Sequence, residues 1–442
     1  RVEPVAGGAA RPAKVRELDA GDPIVDQHIR RAGLQLFLGE IDGLSPGTDY
    51  HLRVGTAAPV HVRTFPAQLP KEGLSFALAS CYYEAFGRDK DYLKALHAAA
   101  PGFGPLAAKL LVGDNVYIDV GKSPTAQRSG AEETIGRYLQ YYWRSGYADV
   151  LSFLPSFFLW DDHELWNNYP EWQIHLARSM DAGGRDNYQK AALAAVRLFQ
   201  ASLNPAPIVR AGLSYQFEIP PISCFALDLR AGRTIMKDPS PRMTSEAELA
   251  AFEKWAAGLK APGIAIFGQP LWIEKGNFMD FQPPDFAAQY ARIWRALASA
   301  PYDVLVLSGD VHHSRLLEFD VGGGRRVWEL ISSPACMIPT IESIAAQAFD
   351  VQDRGAITFP LKFPGDAAGA PKLAFYHFGT DHNNTICLLH LAPGEGGAIG
   401  VTTCFLDLVT KGVCPNDRPK VQAPLVSPQS QWCKGGFTLK KR

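Results

Sequence analysis

Phe157-Phe158-Leu159-Trp160 runs straight into Asp161-Asp162-His163-Glu164, with the amides Asn167 and Asn168 just beyond. A short apolar run with so abrupt a stop predicts a buried strand opening into a polar loop. Open α/β sheets carry their chemistry at such strand ends. Burying four ionisable groups without partners is very costly, so the cluster must be solvated, tightly paired or metal-bound. Alone it reads more readily as a polar corner with a satisfied histidine.

Four further strand ends change that reading. Cys81 follows the apolar Ser75–Ala79, and Asp114 and Tyr117 follow Lys109–Val112. Asp228, Arg230 and Arg233 follow Phe225–Leu227, and Asp310 with His312 follows Asp303–Leu307. Each has a bland reading. Cys81 is a small buried hydrophobe, Tyr117 a packed aromatic, Asp228 with Arg230 a structural ion pair, Gly-Asp a turn. Together they form a mixed donor set of carboxylates, amide, imidazole, thiolate and phenolate. A two-metal hydrolase needs a carboxylate that reaches both ions, about 3.5–4 Å apart. Asp114 is the best bridging candidate, because Gly113 leaves room for close approach. Cys81 and Tyr117 would anchor a harder, more oxidised metal. Asn167 and Asp310 would offer oxygen to a calcium-like or manganese-like ion.

Two textures of sequence must position these residues. Leu34, Leu36 and Leu38, then Tyr50 and Leu52, then Val60 and Val62 alternate with other residues between turns, which predicts a small β-sandwich. Leu44-Ser45-Pro46-Gly47-Thr48-Asp49-Tyr50 resembles the corner turn of fibronectin III-like domains, with Tyr50 as its buried tyrosine. Residues 1–32 show no clear periodicity. Past a linker at Pro66–Lys71, strands alternate with helices, which predicts a layered α/β domain. Helices are expected over Lys90–Ala100, much of Glu132–Leu154, Asp186–Leu203, from the Ser245/Glu248 capping box to Lys260, and from an Asp285 cap to Ala298. Ile264–Phe267, Trp328–Ile331, Ile386–Leu391 and Gly400–Leu406 read as further strands. The expected division is residues 1–70, 71–410, and a tail or lid over 411–442.

At 47% hydrophobic and 20% charged, the chain of 442 residues can bury a sizeable core. A formal net charge of −1 argues against a broad electrostatic grip on nucleic acid or an anionic membrane. No apolar run approaches the roughly 20 residues of a membrane span. The chain opens at Arg1 without a signal-peptide pattern, as the mature form of an exported protein or a trimmed chain would. Seven cysteines is an odd number. Cys404, Cys414 and Cys433 cluster near the C-terminus, and one or two disulfides in that region would suit an oxidising compartment, so a periplasmic or secreted location is expected.

In order, Ser80-Cys81, Gly113-Asp114-x-x-Tyr117, Trp160-Asp161-Asp162-His163-Glu164-x-x-Asn167, Leu227-Asp228-x-Arg230-x-x-Arg233 and Ser308-Gly309-Asp310-Val311-His312 resemble the PhoD-like alkaline phosphatase/phosphodiesterase family of the calcineurin-like metallophosphoesterases. The resemblance spans about residues 73–410. It implies a four-layer α/β/β/α core with two central mixed sheets, preceded in many members by a β-domain. It implies Fe3+ on Cys81, Asp114, Tyr117 and His312. It implies Ca2+ on Asp114, Asn167 and Asp310, with Asn168 an alternative to Asn167. Mn2+ or Zn2+ would also suit these donors. Asp162 is then a ligand or its support, and His163 stands where the superfamily has its catalytic histidine.

The function expected is hydrolysis of a small phosphoester by metal-activated water. His163 would protonate the leaving oxygen, oriented by Asp161 or Glu164. Arg230 or Arg233 would neutralise phosphoryl charge while the other pairs with Asp228. The catalytic set is thus His163, Arg230 and Asp162. A diesterase acting on phospholipid head groups or nucleotides is the alternative, with Trp166, Tyr169, Trp172 and Trp272 either walling a pocket or packing the core. A non-catalytic exported binding protein is a third reading. Oligomeric state is left open.

Overall fold

Strands buried on both faces read as near-continuous apolar runs, and this chain has many of them. The computed structural model describes residues 1–84, 106–120, 130–144, 146–173, 179–273, 281–336, 372–381, 384–407 and 431–441. The fold is mixed α/β, with both parallel and antiparallel strand pairs. A six-stranded sheet has the order β18-β17-β16-β6-β7-β8, from Gln431–Leu439, Ile399–Asp407, Thr385–Pro393, Leu74–Ala79, Leu106–Val112 and Ser156–Leu159. Its β6, β7 and β8 run parallel. A seven-stranded sheet has the order β15-β13-β14-β12-β11-β10-β9, from Lys372–Asp381, His313–Asp320, Arg326–Ile331, Val304–Ser308, Gly263–Phe267, Ile222–Leu227 and Tyr215–Ile219. Its β10, β11, β12 and β14 run parallel.

The two sheets share a core. Phe76, Leu78, Ala108, Leu110 and Val112 of one pack with Ala226, Ile264, Ile266, Leu305 and Leu307 of the other. Alternate residues point away, because successive strand side chains face opposite sides. Ala77, Ala79, Leu111 and Phe158 pack against helices α2 (Gly130–Leu139), α3 (Tyr147–Ser152) and α4 (Ala182–Phe199). Phe225, Ala265, Val304 and Val306 pack against α5 (Glu246–Gly258) and α6 (Ala287–Ser299). No helix among the described residues is long and apolar enough to cross a membrane.

Most of the expected elements stand where the pattern placed them; the expected helix at Lys90–Ala100 lies outside the described residues. Several differences have clear causes. Helix α1 (Pro23–Arg31) lies in the stretch without periodicity. It buries only Val25 and Ile29, and its start rests on Asp22, which accepts from the N–H groups of Ile24 and Val25. Asp285 does not cap α6; its carboxylate accepts from Gln282 N at 2.8 Å within the short turn Pro283–Asp285 that precedes it. The segment Gln431–Leu439, expected as part of a tail or lid, pairs with β17 as the edge of the six-stranded sheet. In that register Cys404 lies opposite Cys433; Cys414 lies outside the described residues. Near the N-terminus, β1 (Val2–Pro4), β4 (Asp49–Leu52) and β5 (Val60–Arg63) form a three-stranded antiparallel sheet beside a β2–β3 pair (Lys14–Leu18, Leu36–Glu40). Tyr50 is buried there, and its hydroxyl accepts from Ser45 N at 2.9 Å.

Lys109 is the polar exception in β7. Its buried ammonium donates to the carbonyl oxygens of Leu151, Phe153 and Leu154, which pins the chain leaving α3. Burial pushes its pKa down from 10.5 to about 7. The unfolded chain therefore holds a proton that the folded chain releases between about pH 7 and 10, so this group makes stability rise across that window. In denaturant titrations at pH 7 and 9.5, Lys109→Met should flatten that rise relative to the parent; an unchanged rise would show that the group does not titrate there.

Candidate metal centre

The C-terminal ends of β6, β7 and β8 meet those of β10, β11 and β12, and glycine makes the meeting possible. A Cβ on Gly309 would sit 2.1 Å from Val112 O and 2.6 Å from Ser80 Cβ. One on Gly268 would sit 2.7 Å from Asp161 Oδ1. Backbone bonds continue past the strands, from Cys81 N to Gly113 O at 3.1 Å and from Gly309 N to Gly268 O at 3.0 Å. Cys81, Asp114, Asp310 and His312 all have positive φ, between 51° and 72°. Such backbone is strained for non-glycine residues, and clustering of the strain is a mark of a functional site.

Two carboxylates organise the loops. Glu164 is fully buried and accepts from the backbone N–H groups of Asp114, Asn115, Val116 and Asp161, and from Gln200 Nε2. It ties the loop after β7 to the loop after β8. Asp161 is equally buried and takes Arg230 Nε at 2.8 Å and Nη2 at 2.9 Å in a fork. A planar guanidinium suits this bidentate contact. Arg230 is itself 0% exposed, so the arginine expected against substrate is committed to Asp161. Arg233 does not pair with Asp228 either; it donates to Leu229 O, Phe281 O and Gln269. Asp228 instead accepts from Trp160 Nε1 and from the N–H groups of Arg230 and Ala231.

The residues left at the centre have ligating atoms close together. Atoms of Cys81, Asp114 and His312 lie within 4.8 Å of one another. The same holds for Asp114, Asp162 and His163, and for Asp161, Asp162 and Asp310. Asp114 belongs to two sets, and so does Asp162. The Tyr117 hydroxyl lies 3.4 Å from Asp114 Oδ2 and 3.3 Å from His312 Nε2. Burial pushes the Cys81 thiol up to about 12, and the Asp310 charge adds to this. Burial also raises Asp114, with Cys81 adding to it, and lifts Tyr117 well above its ordinary value. Asp162 Oδ2 accepts from Asn168 N at 2.6 Å, while the buried Oδ1 has no hydrogen-bond partner among the described residues. Besides that bond, the Arg230 guanidinium lies 3.4 Å from Asp162 Oδ2, and a buried carboxylate oxygen left so is open to a cation or a proton. Thiolate, phenolate, imidazole and carboxylates fit a transition metal on one side, and carboxylates fit a hard cation on the other.

His163 is oriented by neither Asp161 nor Glu164. Its Nδ1 lies 2.7 Å from Asp119 Oδ1, and its backbone N–H donates to Asp114 Oδ1 at 3.3 Å. Burial lowers the imidazole's pKa, but Asp119 and Asp114 outweigh this and hold it well above its ordinary value. Asp119 was not among the residues expected from sequence. Its signal was a lone carboxylate in the apolar stretch Val116–Val120, five residues past Asp114. Asp119 also accepts from Asn167 N at 2.8 Å. Asn168 is buried, and its Oδ1 accepts from Phe281 N at 2.8 Å. Gln269, likewise not expected, donates to Asp310 Oδ2 at 3.3 Å. Of the candidate pocket aromatics, Trp166, Tyr169 and Trp272 are core residues and only Trp172 is exposed.

No protein-family model matches the chain, and no curated protein matches it in sequence. The geometry of Gly309 makes a direct prediction. Gly309→Ala forces a methyl group against Val112 O, so it should cost at least the roughly 1–3 kcal/mol of an overpacked core. A denaturation midpoint equal to the parent's would show that the strand ends are not so tightly apposed.

Proposed function

We propose that the chain is a metal-dependent phosphoric ester hydrolase with two cations sharing Asp114, an alkaline phosphatase of the PhoD-like kind. The observation that carries this is the double membership of Asp114 and Asp162 in adjoining ligand sets. Cys81, Asp114, Tyr117 and His312 would hold one ion, Fe3+ by resemblance. Asp114, Asp162, Asp310 and Asn167 would hold the other, Ca2+ by resemblance. Asn167 is preferred to Asn168, whose carbonyl is committed to Phe281 N. The three apolar clusters support the four-layer α/β/β/α reading of residues 71–410. The three-stranded sheet and the Tyr50 corner support a fibronectin III-like origin for residues 1–70, although α1 adds a helix.

Bound there, the cations would neutralise phosphoryl charge and acidify water toward a nucleophile at moderate pH. The chain's own groups do the rest. Asp119 fixes His163 through Nδ1 and favours its protonated form, which leaves Nε2 to give a proton to the leaving oxygen. Arg230 acts from behind, balancing Asp161 and lying 3.4 Å from Asp162 Oδ2. Glu164 keeps the two ligand-bearing loops in register.

One observation favours the diesterase reading. Arg230 and Arg233 are both buried and engaged, so neither is presented to a phosphoryl group. A diester carries less charge than a monoester dianion and needs such a partner less.

Metal analysis alongside turnover of a matched monoester and diester tests the proposal. About two metals per chain with hydrolysis of either ester is expected; a chain that takes up no metal, or that hydrolyses the esters equally well with its metal removed, would overturn it. Asp114→Asn should lose metal and turnover together. His163→Ala should keep its metal while turnover falls about a hundred- to ten-thousand-fold. Asp119→Asn should lower turnover less than His163→Ala, and loss of metal in that variant would place Asp119 among the ligands instead.

A further inference from the structure

Ser333 follows β14, where the seven-stranded sheet abuts the loop carrying Cys81. The segment is locked there. Ala335 N donates to Ser80 O at 2.7 Å, and Cys336 N donates to Cys81 O at 3.1 Å. Ser314 Oγ accepts from Ser333 N at 3.1 Å and donates to Ser333 O at 3.3 Å. Ser333 is fully buried, and its Oγ lies 3.2 Å from Cys81 Sγ. The same oxygen accepts from His312 N at 3.1 Å.

A hydroxyl has one proton and can accept as well. Ser333 Oγ donates to the sulfur, and one of its two lone pairs takes the His312 N–H. A thiolate can only accept, so when Cys81 is ionised this bond has a single possible direction. Ser80, the neighbouring hydroxyl, donates to Ser332 O at 2.9 Å; it and the Tyr117 hydroxyl also lie against the sulfur, with Ser333 the strongest of the three contacts. Ser333 thus touches two residues from opposite sheets, Cys81 through its side chain and His312 through its backbone.

We propose that Ser333 is a positioning residue that sets the donor strength of the Cys81 thiolate toward its cation, while fixing the backbone of His312. This rests on the metal centre proposed above. A hydrogen bond to a ligating sulfur withdraws electron density from it, and such bonds tune the potentials of thiolate-bound metals. Without the bond, the thiolate is a stronger donor.

The test uses the full chain loaded with iron(III), as parent and as Ser333→Ala, Ser333→Cys and Ser333→Thr, with iron quantified in each. Thiolate-to-iron absorption should move to longer wavelength in Ser333→Ala, and the iron should become harder to reduce. Ser333→Cys, a weaker donor of similar size, should shift less and covers the case in which the alanine variant fails to fold. Ser333→Thr keeps the hydroxyl and should restore the parent band. Bands that coincide across all four proteins at equal iron content would overturn the role of Ser333 and leave the centre standing. A parent that binds iron without a thiolate band would overturn the centre itself, and this proposal with it.

Discussion

Negative charge converging where two sheets end is the constraint on which the rest of the structure depends. Asp114, Asp161, Asp162, Glu164 and Asp228 are all buried there. Left uncompensated, this would be prohibitive. Each carboxylate is met differently. Arg230 answers Asp161 with a full opposite charge. Four backbone N–H groups and an amide answer Glu164. An indole and two backbone N–H groups answer Asp228. Asp162 keeps a buried oxygen without a hydrogen bond among the described residues, and Asp114 shares its carboxylate with a thiol and a phenol that burial disfavours ionising. The charge pairing thus separates the carboxylates that hold the loops from Asp114 and Asp162, which belong to the candidate ligand sets.

The backbone bears the cost of this arrangement. These side chains cannot converge unless strand ends approach within van der Waals contact, and Gly268 and Gly309 permit that approach. Cys81, Asp114, Asp310 and His312 then take left-handed backbone. The strain is held by the surrounding ladder, including the bonds from Cys81 N and Gly309 N across neighbouring strand ends. Rigid strands, a strained rim and a committed set of buried supports leave His163, Asn167, Asp310 and His312 as the partly exposed face of the centre.

Much of this was legible in the sequence because burial leaves a pattern. Runs such as Leu110–Val112 and Val304–Leu307 read as strands because both faces are covered. Ser245 with Glu248 read as a helix start because local hydrogen bonds decide it, and the Ser245 side chain accepts from Glu248 N. Helix α1 escaped because two buried residues make no period. Strand β13 escaped behind the histidine that begins it, and the C-terminal edge strand Gln431–Leu439 carries Gly435-Gly436, which interrupts the apolar pattern of a strand. The pocket aromatics Trp166, Tyr169 and Trp272 could not be told from core residues, since an aromatic ring serves either use.

What the sequence alone determined is the cast. The donor types, their order and their places after apolar runs are local features, and composition with periodicity exposes them. Only the tertiary structure decided the pairings. Which carboxylate orients His163, whether Arg230 faces substrate or Asp161, and that Ser333 reaches Cys81 across 252 positions depend on contacts between separate strand ends. Such contacts are fixed by how two sheets pack. Their energies depend on burial and distance, and neither quantity is written in the spacing of residues along the chain.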